Sequence, residues 1–346
     1  MRRFVLVAVV LCTACSGEAA GRAVRSDGPA SSATPGNSGA STLPAAEPLG
    51  RDSVSTSGAP VVTTASPLPS ILVPPNPPGV VVSRNGVVLP VLENRPDGRL
   101  VRTPCDRTIL VTEGTFIERV DVVVDPGHGG RATGAVGPGG LGEADANLAV
   151  AELVVAKLEA AGLSALLTRT GDYEMSLGSR AQTARSAGAS AFVSIHFNAD
   201  PDGPAPGPGS ETYYQAQSPD SRRLAGLVYE EVHATLSGFS AGWAGDTDAG
   251  TKYRLNAGGN DYYGILRHSA GVTAALIESA FISNPSEERL IGDPAFQAAL
   301  ADAIARGVVR FHRTGDPGSG FVEPYARETD VGGDGTAGPR CVEPPL

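Results

Sequence analysis

Lysine is almost missing from this 346-residue chain, present only at Lys157 and Lys252, and the 27 basic residues are outnumbered by 37 acidic ones for a formal net charge of −10. A nucleic-acid-binding surface needs clustered Lys and Arg to neutralise phosphates, so the sequence excludes an electrostatically driven binder and no nucleic-acid partner is expected. No run of like charges forms an acidic tail, which leaves a solvated acidic surface. The first apolar run, residues 4–11, is too short to span a membrane and no second candidate span follows it. Nor is there an internal repeat at solenoid periods. What the chain has in excess is Gly, at 44, and Pro, at 28, spread unevenly, which predicts a long irregular segment joined to a folded part.

Arg2-Arg3, the apolar run and Cys12-Thr13-Ala14-Cys15 read as the basic, hydrophobic and small-residue regions of an export signal over residues 1–15. The tripeptide before Cys15 is similar to a bacterial lipobox, with Cys12 where an aliphatic residue is usual. Two processing routes stay open: lipidation of Cys15, which would anchor the protein to a membrane, and ordinary signal cleavage. Either places the protein in the cell envelope, where disulfides persist. Only Cys105 and Cys341 then remain well inside the mature chain, and they are expected to pair, tying residues 102–107 to the C-terminal tail.

Residues 16–78 are Ala, Ser, Thr, Gly and Pro without sustained periodicity, a composition that cannot bury enough apolar surface to offset ordering entropy, and they read as a linker. Asn85-Gly86 stands between two β-branched runs, a strong hairpin signal, so a small β-hairpin extension is expected over residues 79–119, with 108–111 as a further extended stretch. The main domain, 120–313, opens on the apolar run 120–124, which breaks into a glycine-rich loop. Helices are expected at 147–161, 177–187, 219–236 and 294–311, and strands at 163–168, 191–195, 212–215 and 273–277. That alternation predicts an α/β fold: a single domain with a mixed, largely parallel sheet flanked by helices, followed by a tail over 314–346.

Three candidate metal ligands sit at expected strand ends or helix starts. They are His128 within Asp125-Pro126-Gly127-His128-Gly129-Gly130, Glu143 before the first helix, and His196 within Ser194-Ile195-His196-Phe197-Asn198-Ala199. Two imidazoles and one carboxylate leave a fourth position for water, the donor set of a catalytic zinc site. Strand carboxyl ends are also where open α/β sheets bind ligands. Singly, each has an ordinary reading: a turn residue, a helix N-terminal charge and a core histidine.

With Ile277-Glu278-Ser279-Ala280-Phe281-Ile282-Ser283-Asn284 and with Asn147-Leu148 after Glu143, these blocks make the chain resemble the zinc-dependent N-acetylmuramoyl-L-alanine amidases of type 3, bacterial cell-wall autolysins, over residues 120–313. Thr168-Arg169, Asp172 and Arg180 are similar to the family's intervening segment. The resemblance implies that His128, Glu143 and His196 bind Zn2+ and that Glu278 is the catalytic carboxylate. The substrate would be peptidoglycan or a muropeptide, cut between N-acetylmuramic acid and L-alanine by a monomeric enzyme. Two departures stand out: Arg185 where asparagine is common, and the Pro- and Gly-rich stretch 201–209 after the second histidine. Arg267 is read either as a receptor for a stem-peptide carboxylate or as a surface arginine, and 243–263 either as a groove-side loop or as a surface excursion. His233, His268 and His312 are read as structural or exposed. Two other functions stay open on the same residues, a zinc peptidase acting on another wall bond and a non-catalytic peptidoglycan-binding homologue.

Overall fold

A computed structural model of the protein describes residues 76–245, 248–326 and 340–346. The expected export signal with Cys15, the linker up to residue 75 and tail residues 327–339 lie outside the described residues.

The hairpin expected at Asn85-Gly86 is present and is part of a larger antiparallel sheet. Strands β1 (Val80–Val82), β2 (Val88–Arg95), β3 (Gly98–Arg102), β4 (Thr108–Val111) and β5 (Thr115–Ile117) lie in the order β4-β3-β2-β1-β5. Gly86, at φ 82°, closes the β1–β2 loop, where the Ser83 amide donates to the Val87 carbonyl at 2.9 Å. A Pro96-Asp97 turn returns β2 onto β3 with Arg95 opposite Gly98. The sheet is no detached appendage: Val80 and Val88 share a buried core with Val123, Phe192 and Leu276 of the main sheet. Burying those apolar side chains against the domain favours docking over a free extension.

The main sheet follows: β6 (Val122–Pro126), helix α1 (Glu143–Ala160), β7 (Ala165–Leu167), α2 (Leu177–Ser186), β8 (Ala191–Asn198), β9 (Glu211–Tyr214), α3 (Pro219–Leu236), β10 (Gly250–Lys252), α4 (Gly264–His268), β11 (Ala274–Phe281), α5 (Pro285–Ile291) and α6 (Pro294–Arg313). Strand order is β10-β9-β11-β8-β6-β7, parallel throughout except that β9 runs antiparallel to β11. This is the mixed, largely parallel sheet that the alternation of elements predicts. Strands β6 and β11 read as near-continuous apolar runs because helices cover both faces.

On one face α1, α3 and α6 pack together, with Val150, Val154, Leu224, Val228, Leu300 and Ile304 in the core. Gly307 permits the close approach of α6 to α3, since a β-carbon there would stand 2.6 Å from Val228 Cα. α2 and α4 share the other face with β1 and β2. The helix signals act locally as expected: Ser176 and Ser218 accept amide bonds at the starts of α2 and α3, and Gly162, at φ 84°, follows α1. Among the described residues no helix is long and apolar enough to cross a membrane.

Cys105 and Cys341 are bonded, with Cα atoms 5.7 Å apart and 236 positions apart in sequence, as expected. The bridge fastens the tail beside the five-stranded sheet. There Glu343 accepts from Arg107 Nε at 3.0 Å and from the Thr103 hydroxyl.

Candidate active site

The glycine-rich turn after β6 places His128 at φ 62°, a left-handed conformation that costs a residue with a β-carbon on the order of 1–3 kcal/mol. Two buried arginines hold it. Arg180 donates Nη2 to the His128 carbonyl at 2.6 Å and Nη1 to the Pro126 carbonyl at 2.8 Å, while Arg169 donates to the carbonyls of Pro126, Gly127 and Ala144 at 2.9, 2.9 and 2.7 Å. Asp172 Oδ1 accepts the Gly130 amide at 2.6 Å. Arg180 also pairs with Asp125 at 2.8 Å, and Asp125 accepts from Thr168 and Ser194 at 2.5 and 2.7 Å. Burial alone would raise the Asp125 carboxyl, but Arg180 and the hydroxyl donors outweigh it and hold the group below its ordinary range.

Glu143 opens α1, four residues before the helix start expected from the apolar pattern. Its Oε1 lies 3.2 Å from His128 Nε2 and 3.0 Å from His196 Nδ1, and its Oε2 accepts the Ala135 amide at 2.8 Å. Burial opposes its charge, yet the two imidazoles hold the carboxyl far below its usual range. Burial depresses His196, which keeps its imidazole neutral, the form that ligates metals. Donor atoms of His128, Glu143 and His196 all fall within 4.8 Å of one another. Two glycines leave room for this convergence: a β-carbon on Gly127 would stand 2.1 Å from the His196 ring, and one on Gly134 would stand 2.5 Å from Glu143 Oε2.

Both β8 and β11 run further than the sequence suggests. His196 and Glu278, expected at strand ends, lie within strands, because ladder pairing continues through them to a register shift after Glu278. Glu278 stands in register with His196 on one side and with Glu211, on β9, on the other. Burial raises the Glu278 carboxyl well above the ordinary carboxylate range, and the charges of Glu143 and Glu211 push the same way. Its Oε2 is buried without a hydrogen-bond partner in the protein. A carboxyl with a raised proton affinity, beside a cluster of nitrogen and carboxylate donors, suits proton transfer.

A second buried charge group was not legible in the sequence. Glu211 pairs with Lys252 at 3.2 Å, accepts from Asn198 Nδ2 at 2.8 Å and from the Tyr213 hydroxyl, and Arg254 pairs with Asp248 at 2.7 Å. One of only two lysines in the chain is thus spent in the interior. A cavity of about 280 Å³ is lined here by Asn198, Asp200, Glu211, Tyr213, Arg254 and Tyr263, so part of the 243–263 segment walls this cavity. Arg267 donates Nη1 to the Asp261 carbonyl at 2.7 Å and also to that of Tyr262, bracing this segment. Arg185 ties α2 to the His268 carbonyl at 2.6 Å, and His312 bonds the Ser190 hydroxyl at 2.7 Å.

Comparison with known proteins gives a family model described as N-acetylmuramoyl-L-alanine amidase, matching residues 122–310. The chain is 35% identical over 194 residues to the N-acetylmuramoyl-L-alanine amidase LytC of Bacillus subtilis (strain 168), covering 56% of this chain and 35% of that protein. It is also 35% identical over 215 residues to the protein YqiI of the same organism, covering 62% of this chain and 92% of the relative. Among solved structures, the amidase AmiC2 of Nostoc punctiforme is 31% identical, with a TM-score of 0.47 over 56% of this chain and 96% of that one. The chain therefore spans about a third of the length of LytC and nearly all of YqiI.

Proposed function

Because the chain belongs to the N-acetylmuramoyl-L-alanine amidase family across residues 122–310, we propose that it hydrolyses the amide bond between N-acetylmuramic acid and the L-alanine of the peptidoglycan stem peptide. The observation that carries this reading is the convergence of His128, Glu143 and His196 with Glu278 in the next strand's register.

The donor set fits zinc: two imidazole nitrogens and one carboxylate oxygen, close enough to share an ion. His128 Nε2, His196 Nδ1 and Glu143 would hold Zn2+, which when bound polarises a carbonyl and acidifies water. Glu278 then takes a proton from the attacking water and returns it to the leaving nitrogen, so the poor amine leaving group departs neutral. The Glu211–Lys252 pair, buried beside Glu278, supports that carboxyl's surroundings without itself being a ligand. The same reading places the protein, as a monomer, in the cell envelope, released or anchored through Cys15, in keeping with the Cys105–Cys341 bridge.

The test is product analysis on purified muropeptide, with and without chelator. Chelator-sensitive release of a stem peptide bearing a new L-alanine amino terminus is the expected result. Products that keep the lactyl amide while a peptide bond is cut would establish a zinc peptidase, and retention of muropeptide without turnover would establish a binding module.

A further inference from the structure

Helix α5 carries two consecutive carboxylates, Glu287 and Glu288, both buried. They face different ways. Glu287 accepts the Phe281 and Ala244 amides at 2.7 and 2.9 Å, holding the end of β11 and the segment after Trp243. Glu288 instead reaches the turn before α1, where its two oxygens accept the Gly139 amide at 2.6 Å and the Leu141 amide at 3.0 Å. The fit is tight: a β-carbon on Gly137 would stand 2.2 Å from Glu288 Oε1.

That turn is the tip of a short two-stranded loop whose base is the metal cluster. Gly137 donates to the Leu141 carbonyl at 2.9 Å, and Val136 bridges Gly142. Glu143 donates its own amide to the Ala135 carbonyl at 2.9 Å while its Oε2 accepts the Ala135 amide at 2.8 Å. A continuous set of hydrogen bonds therefore runs from Glu288 through the turn and its rungs to the outer oxygen of Glu143. Partners that orient a ligating carboxylate affect metal affinity strongly, typically by about 10- to 100-fold.

We propose that Glu288 is a positioning residue of the metal centre: by pinning residues 139 and 141 it fixes the Ala135 amide against Glu143 and so sets the affinity for zinc. The inference rests on the zinc-amidase reading for the identity of the ion. Glutamine at 288 keeps the shape but presents an NH2 group to one of the two amides, so it removes one clamp without emptying the site. Gly137→Ala attacks the same contact from the loop side, and Glu287→Gln, on the other wall, serves as control.

The experiment measures zinc dissociation constants by competition with a chromogenic chelator, on folded protein checked by thermal unfolding. Glu288→Gln and Gly137→Ala are expected to bind zinc about 10-fold more weakly than the parent, with Glu287→Gln within two-fold of it. Constants for Glu288→Gln and Gly137→Ala within two-fold of the parent would overturn the proposal. A parent protein that takes up no zinc instead defeats the zinc reading by itself. The loop proposal is then decided by amide exchange in metal-free protein: faster exchange at Ala135 in Glu288→Gln supports it, and unchanged exchange overturns it.

Discussion

Glu278 and His196 occupy the same rung of adjacent parallel strands, so the proposed proton-transferring carboxylate and a proposed metal ligand are held side by side by backbone pairing. Ligation and proton transfer are therefore separable. Glu278→Gln is expected to keep near-stoichiometric zinc by elemental analysis while muropeptide turnover falls about 100-fold or more. His128→Ala or His196→Ala should lose both metal and activity. Turnover within a few-fold of the parent in a fully metallated Glu278→Gln protein would refute the assigned role.

Gly127 makes a different prediction, since the space its missing side chain leaves is filled by the His196 ring at 2.1 Å from a notional β-carbon. Gly127→Ala should displace that ring and lower zinc occupancy with the fold kept, read by metal content against far-ultraviolet circular dichroism. Full occupancy would mean that the turn can shift to accept the methyl group.

Arg180 neutralises Asp125 in a fully enclosed setting and holds the strained His128 carbonyl. Replacing it with Met strands a buried carboxylate, and breaking such a pair costs about 3–5 kcal/mol. Urea unfolding at pH 7 should show a loss of that order, shrinking as pH falls because Asp125 can then be protonated. A loss under about 1 kcal/mol at pH 7 would mean that water reaches the site.

Glu287 gives the pH dependence of stability. Burial pushes its carboxyl up to about 7, against about 4.3 in an unfolded chain. The folded state thus binds the proton more tightly, so this contribution is fully present below about pH 4 and lost as pH rises through 7. Between pH 5 and 8 the parent should lose on the order of 2–3 kcal/mol relative to Glu287→Gln. Parallel stability profiles for the two proteins would remove Glu287 as the source.

The Cys105–Cys341 bridge closes a separation of 236 residues, for which the chain-entropy model assigns about 5 kcal/mol. A Cys105→Ser, Cys341→Ser protein should unfold at lower urea by up to that amount and lose its tail to limited proteolysis. Unchanged stability and an uncut tail would show that the contacts of Glu343 suffice alone.

What the sequence disclosed follows from how local each signal is. Helices α3 and α6 were legible almost to the residue because proline and capping side chains mark their starts. The candidate ligands His128 and His196 were legible from their glycine and asparagine surroundings, and the role of Glu278 was implied by the family resemblance. Three short elements, β10, α4 and α5, were not, since runs of three to seven residues are fixed by partners distant in sequence. The Glu211–Lys252 pair escaped for the same reason: it joins β9 to β10 across 41 positions, and neither residue carries a local motif. The docking of β1 and β2 onto the domain likewise depends on burial against Val123 and Phe192, which no pattern within residues 79–119 contains.

The reversed direction of β9 has an architectural consequence. Since β8 ends and β9 begins at the same end of the sheet, the intervening residues 199–210 never have to cross to the far side. They pass instead over the end of β11, tied down where Asp200 donates to the Ser283 hydroxyl at 2.9 Å and where Ser210 donates to the Ser279 carbonyl at 2.7 Å. Such a span forms a parapet at this end of the sheet, anchored at both ends and pinned between them where the Ala205 amide donates to the Trp243 carbonyl at 2.8 Å and Pro204 bridges Ala244. Loop-closure cost grows only slowly with length, so the wall can be lengthened or shortened on either side of that pin while the sheet and the four candidate site residues stay as they are.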